Sequence, residues 1–387
     1  MNKIYNTQKE IASSIRKILQ IIDPNIRKTQ LNILPFIILG MINAESSVAG
    51  DVAKVLKDEF SLVQYDSITR RIRRFFNNQY FDPYSFYEKV IKYVLSNYKV
   101  KHKDNKIIIT FDHMYSHENY TVLMLSMRIG KQGIPIYFKC FEGIREAEAF
   151  TDKTITDAIK TVSSYFNNTN YNLVFNADRW FNSEAILRTI QKLGHTYNIR
   201  FKGNIKIKVF DNKENHYIYK YTGDLTGLKY KGKYYSDVYL YENSSYKTNL
   251  IISKSDSIDE PWIIASNGEV TDSIKDYGKR FGSIECIFKN QKSNGFYIEK
   301  ICNASLKGFT SMYACVCFCV LFLTILGADY SKNTRCYRNV KIETHKNYNG
   351  TKKRVISIFN TGLILFKRAF NSLKYIRIPF TLKLYDI

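Results

Sequence analysis

Three carboxylates stand out for the residues around them. Asp112 ends an apolar run, Ile107 to Phe111, and Asp178 follows a second one, Leu173 to Asn176, by a single alanine. Short apolar runs of this kind read as strands, so each acid is delivered to the edge of a sheet. An Asp after a strand is also a common turn former, because its side chain bonds the backbone nearby. Around Glu285, the residues Ile274, Tyr277, Phe281, Ile284 and Phe288 fall on one helical face. Glu285 and Lys292, seven apart, then project together from its flank. An ordinary amphipathic helix decorated with Glu and Lys gives the same pattern. A carboxylate beside a lysine two turns away is what metal-dependent phosphate chemistry would use, the Glu binding metal and the Lys meeting a DNA phosphate. The six histidines are scattered; His113 and His117 flank Asp112, and His113, as its strand neighbour, points to the opposite face.

The elements that position these acids follow from the pattern. Three strands, Ile107 to Phe111, Tyr120 to Arg128 and Ile134 to Cys140, form a meander with a turn at Gly130 and Gly133. Thr151 to Phe166 predicts a helix, Tyr171 to Asn176 a strand, Ser183 to Leu193 a helix and Tyr197 to Lys202 a strand. The fold class expected is α/β, with the element order of a ribonuclease-H-like domain over about residues 105–330. From about 203 to 262 the β pattern continues without helical periodicity, as a β insertion within that domain. A helical pattern resumes at Asp272 and runs, with one irregularity, to about Lys292, and an apolar helix follows from Leu306.

Ahead of this domain, residues 1–100 read as helical, with apolar spacing of three and four in Ile11 to Ile22 and in Ile33 to Ile42. Val48 to Phe76 has the outline of a helix-turn-helix. Its second helix starts at Asp66 and Ser67, sets Ile68, Ile72 and Phe75 on one side and fans Arg70, Arg71, Arg73 and Arg74 over the other. A solvated basic helix on a bundle would read alike. A Lys-rich link, Tyr98 to Lys106, joins the two regions. Residues 331–387 are strongly basic and poorly patterned, with a peripheral stretch around Pro379.

Composition limits the partners. Lys and Arg number 58 against 35 Asp and Glu, a formal net charge of +23 spread through the whole chain, which favours a polyanion over an acidic membrane surface. Aromatics, with 30 Tyr and 25 Phe, interleave with basic residues in Tyr217 to Tyr246, a composition suited to stacking on bases and equally to plain strands. The seven cysteines include no C-x-x-C pair; Cys315, Cys317 and Cys319 lie in an apolar run and read as small core residues in a reducing cytoplasm. The N-terminus lacks a signal-peptide pattern. Phe309 to Gly327 is uncharged for nineteen residues, long enough to span a bilayer, but its place after the Glu285 helix predicts a buried helix against a sheet.

Asp112, Asp178, the β insertion and the Tyr277, Arg280, Glu285, Lys292 series occur in the order that resembles transposases of the IS4 superfamily. In that family's signature Tyr and Arg are separated by two residues, Arg and Glu by three, and Glu and Lys by six. Here the first and last gaps agree, and the Arg280 to Glu285 gap is one residue longer, with Gly282 inside it. A π-bulge or a helix start would absorb the extra residue. The resemblance implies a DDE transposase that cuts and joins double-stranded DNA at the ends of its element and at a target, working as a homodimer in the DNA complex. It implies two Mg²⁺ or Mn²⁺ ions held by Asp112, Asp178 and Glu285, one activating water or a 3′-hydroxyl and the other steadying the leaving oxygen. Tyr277, Arg280 and Lys292 would contact DNA, and Trp262, just before the Glu285 helix, would stack on a base flipped from the element's end or else pack in the insertion's core. Trp180, two residues after Asp178, is expected to pack. The alternative is a non-catalytic basic DNA-binding or membrane-attached protein.

Overall fold

A computed structural model describes residues 2–57, 63–98, 105–116, 119–229, 232–254, 260–292, 295–301, 304–332, 344–346, 352–354, 356–371 and 382–384. The chain is a mixed α/β protein. Its first hundred residues form helices α1 (Asn2–Ile22), α2 (Lys28–Ala44), α3 (Ala49–Leu56), α4 (Tyr65–Phe76) and α5 (Pro83–Ser96). Asp82 caps α5 by accepting from the amides of Tyr84 and Ser85, and Pro83 takes the first turn, where its missing N–H costs nothing. The Lys-rich link lies largely outside the described residues.

The meander follows as β1 (Lys106–Ser116), β2 (Tyr120–Ile129) and β3 (Gln132–Glu142). Then come α6 (Asp152–Ser164), β4 (Asn172–Ala177), α7 (Glu184–Lys192) and β5 (Thr196–Arg200), in the order the periodicity predicts. Thr151 and Ser183 cap α6 and α7. β2 runs antiparallel to β1 and β3, while β4 and β5 lie parallel to β1, giving the strand order β3-β2-β1-β4-β5.

The insertion strands are β6 (Lys206–Asp211), β7 (His216–Tyr221), β8 (Leu228–Lys229), β9 (Lys233–Leu240), β10 (Lys247–Lys254) and β11 (Trp262–Ser266). They continue the same sheet. β11 pairs antiparallel with β5, and β10, β9, β6 and β7 follow outward, for eleven strands among the described residues with β8 beside β10.

After β11 come α8 (Val270–Gly278), α9 (Ile284–Gln291) and the 27-residue α10 (Leu306–Lys332). α10 is apolar on all sides, as a helix must be when nothing but protein surrounds it. Its composition and length would allow it to cross a membrane, yet its apolar window is wholly buried. It packs on β3 as expected, and on α2, α4 and α5 as well. A short hairpin, β12 (Thr344–Lys346) with β13 (Lys352–Arg354), precedes α11 (Ile358–Asn371). α11 was not legible in the basic C-terminal pattern, and it buries Phe359, Leu365 and Phe366 against α10. The Pro379 stretch lies outside the described residues.

Candidate active site

Register brings the first two acids together. The parallel pairing of β1 with β4 ends at Phe111 opposite Ala177, so Asp112 and Asp178 occupy the next matched positions, where the two strands part. β1 does not end at Asp112, as its pattern predicts, but runs on to Ser116 paired with β2, with Asp112 opposite Met124. Asp112 therefore stands on a strand held on one side and open on the other. Asp178 caps a single 3₁₀ turn, Arg179 to Phe181, accepting from the Arg179 amide at 2.7 Å. Asp112 Oδ1 accepts from the His113 amide at 2.8 Å.

The third acid comes from a helix start. The sequence predicts one helix from Asp272 to about Lys292; the structure has two, with Lys279 to Ser283 between them and Gly282 at φ +78°. The extra residue of the Arg280 to Glu285 gap sits in this break. Glu285 lies in the first turn of α9, its side chain half exposed. The single apolar face does not survive the break: Tyr277 and Ile284 are buried, whereas Phe281 is 41% exposed.

Arg280, on that link, joins the three carboxylates. Its Nη2 donates to Asp112 Oδ2 at 2.8 Å and lies 3.7 Å from Asp178 Oδ2, and its Nη1 lies 3.8 Å from Glu285 Oε1. The Arg280 side chain is 7% exposed. Burial works against its charge, but Asp112, Tyr277, Asp178 and Glu285 more than offset this and raise its pKa. Burial pushes the Asp112 carboxyl up to about 6, against the pull of Arg280. His113 points away from the acids, as expected, stacking on Phe181 with Nε2 at 2.9 Å from the Ala149 carbonyl, and burial lowers it to about 4. His117 lies outside the described residues.

Two devices that sequence reasoning missed hold the link in place. Across β4, β5 and β11 the buried residues Asn176, Asn198 and Ser266 stand side by side in register and hydrogen-bond in a row. Ser266 Oγ continues to Ser273, and Asn176 donates to the Asp276 carbonyl at 2.7 Å, which docks α8 on the sheet. Arg128 of β2 donates to the carbonyls of Gly130 and Lys279, and Gly133 approaches Ser283 so closely that an added Cβ would lie 2.8 Å from its carbonyl oxygen. A buried Asn or Ser on a strand has no pattern of its own, and the turn glycine reads only as a turn.

The remaining sequence-predicted residues are placed differently. Lys292 follows the last residue of α9, and its ammonium pairs with Glu299 at 2.9 Å. Tyr277 is fully buried with Ile251 and Ile264, and burial pushes its phenol up to about 12. Trp262 packs on that cluster, edge-on to Tyr277 and stacked with Phe281 at 5.6 Å and 20°. Among the described residues neither its buried Nε1 nor the buried Tyr277 hydroxyl has a hydrogen-bond partner. Trp180 does not pack: it is 67% exposed, with Lys202 Nζ 4.3 Å from its ring centre. Arg70, Arg71, Arg73 and Arg74 are exposed on α4, while Ile68, Ile72 and Phe75 are buried. The turn joining α3 to α4 lies largely outside the described residues.

Three carboxylates around one cationic group are an oxygen donor set of the kind that hard divalent ions choose. With the guanidinium between them, they are not at ion-holding distance: among the described residues no three acidic, His or Cys side chains form such a group.

No family model matches the chain, and no curated protein does. Among solved structures it matches the X-ray crystal structure of Marinitoga piezophila Argonaute in complex with 5′ OH guide RNA and target DNA, at 13% identity and a TM-score of 0.22. The match covers 51% of this chain and 30% of that one, and at so low a score it carries no argument about fold or activity.

Proposed function

We propose that this chain is a DDE-type DNA transposase akin to the IS4 superfamily, which cuts the ends of a mobile element and joins them to target DNA. The observation that carries this reading is the meeting of Asp112, Asp178 and Glu285 at one guanidinium, two of them from matched positions on adjacent parallel strands. The strand order β3-β2-β1-β4-β5 supports it, being that of ribonuclease-H-like domains. Asp112, Asp178 and Glu285 would hold two Mg²⁺ or Mn²⁺ ions once Arg280 withdraws, and such ions supply Lewis acidity for displacement at phosphorus. The protein's own part is to gather the acids, compensate their charge through Arg280 and fix the link through Arg128 and Gly133. Exposed Arg70, Arg71, Arg73 and Arg74 would engage double-stranded DNA. A homodimer acting in the cytoplasm would bring two ends together.

Replacing Asp112, Asp178 or Glu285 by Ala is expected to abolish Mg²⁺-dependent cleavage of end-bearing DNA while leaving DNA binding nearly intact, since the basic surface carries affinity. Gel analysis of end-labelled DNA checks this, and any single variant that still cleaves rules its residue out. A second reading has one observation behind it: Arg280 could be the permanent partner of the three acids, in a DNA-binding protein without catalysis. Cleavage by no form of the protein, with specific DNA binding retained, would select it.

A further inference from the structure

The outer strands of the sheet carry a second surface with its own chemistry. Register sets Lys247 of β10 beside Tyr239 of β9, Tyr239 beside Lys208 of β6, and Lys208 beside Tyr219 of β7. Cross-strand neighbours share a face, so these four residues form one row across four strands, lysine and tyrosine in turn. At about 4.8 Å per strand the row is roughly 14 Å long. The same pairing puts Lys206 beside Tyr221 and Phe210 beside Tyr217 on either side of it. The opposite face of β6 is core, with Ile207 and Val209 buried.

The row is charged, exposed at Lys247 and Tyr219 and half-buried at Lys208 and Tyr239. Phe210, Tyr219 and Tyr221 are exposed, and Lys206 and Lys208 lie 4.9 and 5.2 Å from the Tyr219 ring centre. Lys247 lies 5.0 Å from that of Tyr239. Tyr217 is edge-on to both Phe210 and Tyr239, which fixes the rings in place. Glu242 pairs with Lys206 at 2.7 Å; among the described residues neither Lys208 nor Lys247 has a carboxylate partner. Lys247 also bonds the Tyr239 and Tyr217 hydroxyls, an exposed contact that a phosphate can replace, while the rings offer flat apolar faces.

We infer that this Lys/Tyr face of β10, β9, β6 and β7 binds single-stranded nucleic acid. Its rings stack on unpaired bases and its lysines track the phosphates between them. Charge complementarity selects a polyanion, and the exposed rings select one whose base faces are free, which a duplex hides in its own stack. Four-stranded sheets bearing exposed rings are a recurrent platform for two or three unpaired bases. The inference stands apart from the reading of the three carboxylates, since it concerns binding and not cleavage.

The test is fluorescence anisotropy of a labelled oligothymidylate and of a duplex of equal length, with the full chain in EDTA so that no divalent ion is present. Tyr219→Ala should weaken oligothymidylate binding about tenfold, a typical loss for one stacked base, and Tyr219→Phe should restore it. Lys208→Glu with Lys247→Glu should weaken it at least tenfold and flatten the plot of log K against log salt by about 1.4, at roughly 0.7 per phosphate contact. Duplex binding should change less than twofold in the tyrosine variants. Because Tyr219 is exposed, its replacement leaves the core intact, and it decides the matter if the charge-reversed variant melts early. Unchanged oligothymidylate affinity in the tyrosine variants overturns the inference. Equal loss on duplex overturns it too. An Asp112→Asn chain that keeps oligothymidylate affinity separates this result from any failure of the cleavage reading.

Discussion

One guanidinium gives a single positive charge to three carboxylates, which leaves the cluster short of a cation whenever all three are ionised. Arg280→Gln keeps much of the shape and removes the charge. Without divalent ions this variant is expected to lose about 1–3 kcal/mol, less than a fully buried pair would cost because Asp112 and Asp178 retain some water, seen as a lower urea midpoint. Mn²⁺ should raise its melting temperature by more than it raises that of the unaltered chain. Equal effects on both would mean that ion and guanidinium do not compete for the acids. The neighbours Asp112 and His113 also set opposing pH dependences. Asp112, raised from 3.8 to about 6, keeps a proton in the folded state that the unfolded chain has released, so its contribution falls as pH rises between those values. His113, lowered from 6.5 to about 4, stays neutral where the unfolded imidazole is charged, so its contribution falls as pH drops through that window. These two contributions therefore oppose one another between pH 4 and 6, on top of the loss of stability toward low pH that the lowered His195, Glu184 and Asp272 impose. Relative to the unaltered chain, His113→Phe should tilt the urea midpoint toward decline with rising pH and Asp112→Asn toward increase; the same tilt in both variants would refute the assignment.

At the scale of elements, the break between α8 and α9 is what lets Arg280 and Glu285 share a site. In a continuous helix five residues advance by about 500°, so the two side chains would point some 140° apart. Gly282, at a positive φ, turns the chain between them, and Arg128 with Gly133 clamps the turn from the β2–β3 hairpin. Gly133→Ala places a methyl group against the Ser283 carbonyl and must push the link away. Since misplacing a reacting group by about 1 Å costs on the order of a hundredfold, cleavage should fall by tenfold or more while duplex binding stays within about twofold. Wild-type cleavage by this variant would show that the clamp does not set the site.

Across the whole molecule, α10 ties the helical N-terminal region to the sheet. It is buried between β3 on one side and α2, α4 and α5 on others, with α11 closing over it where Gly327 and Gly362 let the two backbones approach. α4 is thus fixed through its buried face, and its four arginines are displayed from a rigid support. Arg70→Ala with Arg74→Ala should reduce the preference for element ends over random DNA, because a helix that reads base edges carries specificity while phosphate contacts carry general affinity. Competition binding with both DNAs measures this. Equal loss on the two would make α4 a general basic surface.

Local pattern determined much of this protein. Alternation and apolar runs gave the meander, β4, β5 and the helices between them, and put Asp112 and Asp178 after equivalent apolar stretches, because a strand's side-chain period is written in its own residues. The exposed arginines of α4 and the buried α10 were legible for the same reason. Tertiary structure alone decided the pairing of β1 with β4 that sets the two acids side by side, since register depends on which strand lies next to which. It decided that Phe281 covers Trp262, that Lys292 turns to Glu299 and that Trp180 is bare, none of which local spacing constrains once a helix breaks or a chain turns. It also set Arg280 at the centre of the acids and aligned lysines and tyrosines from four separate strands into one row. Both arise from contacts between residues distant in sequence, where composition supplies the charges and rings but only the packed sheet fixes which of them meet.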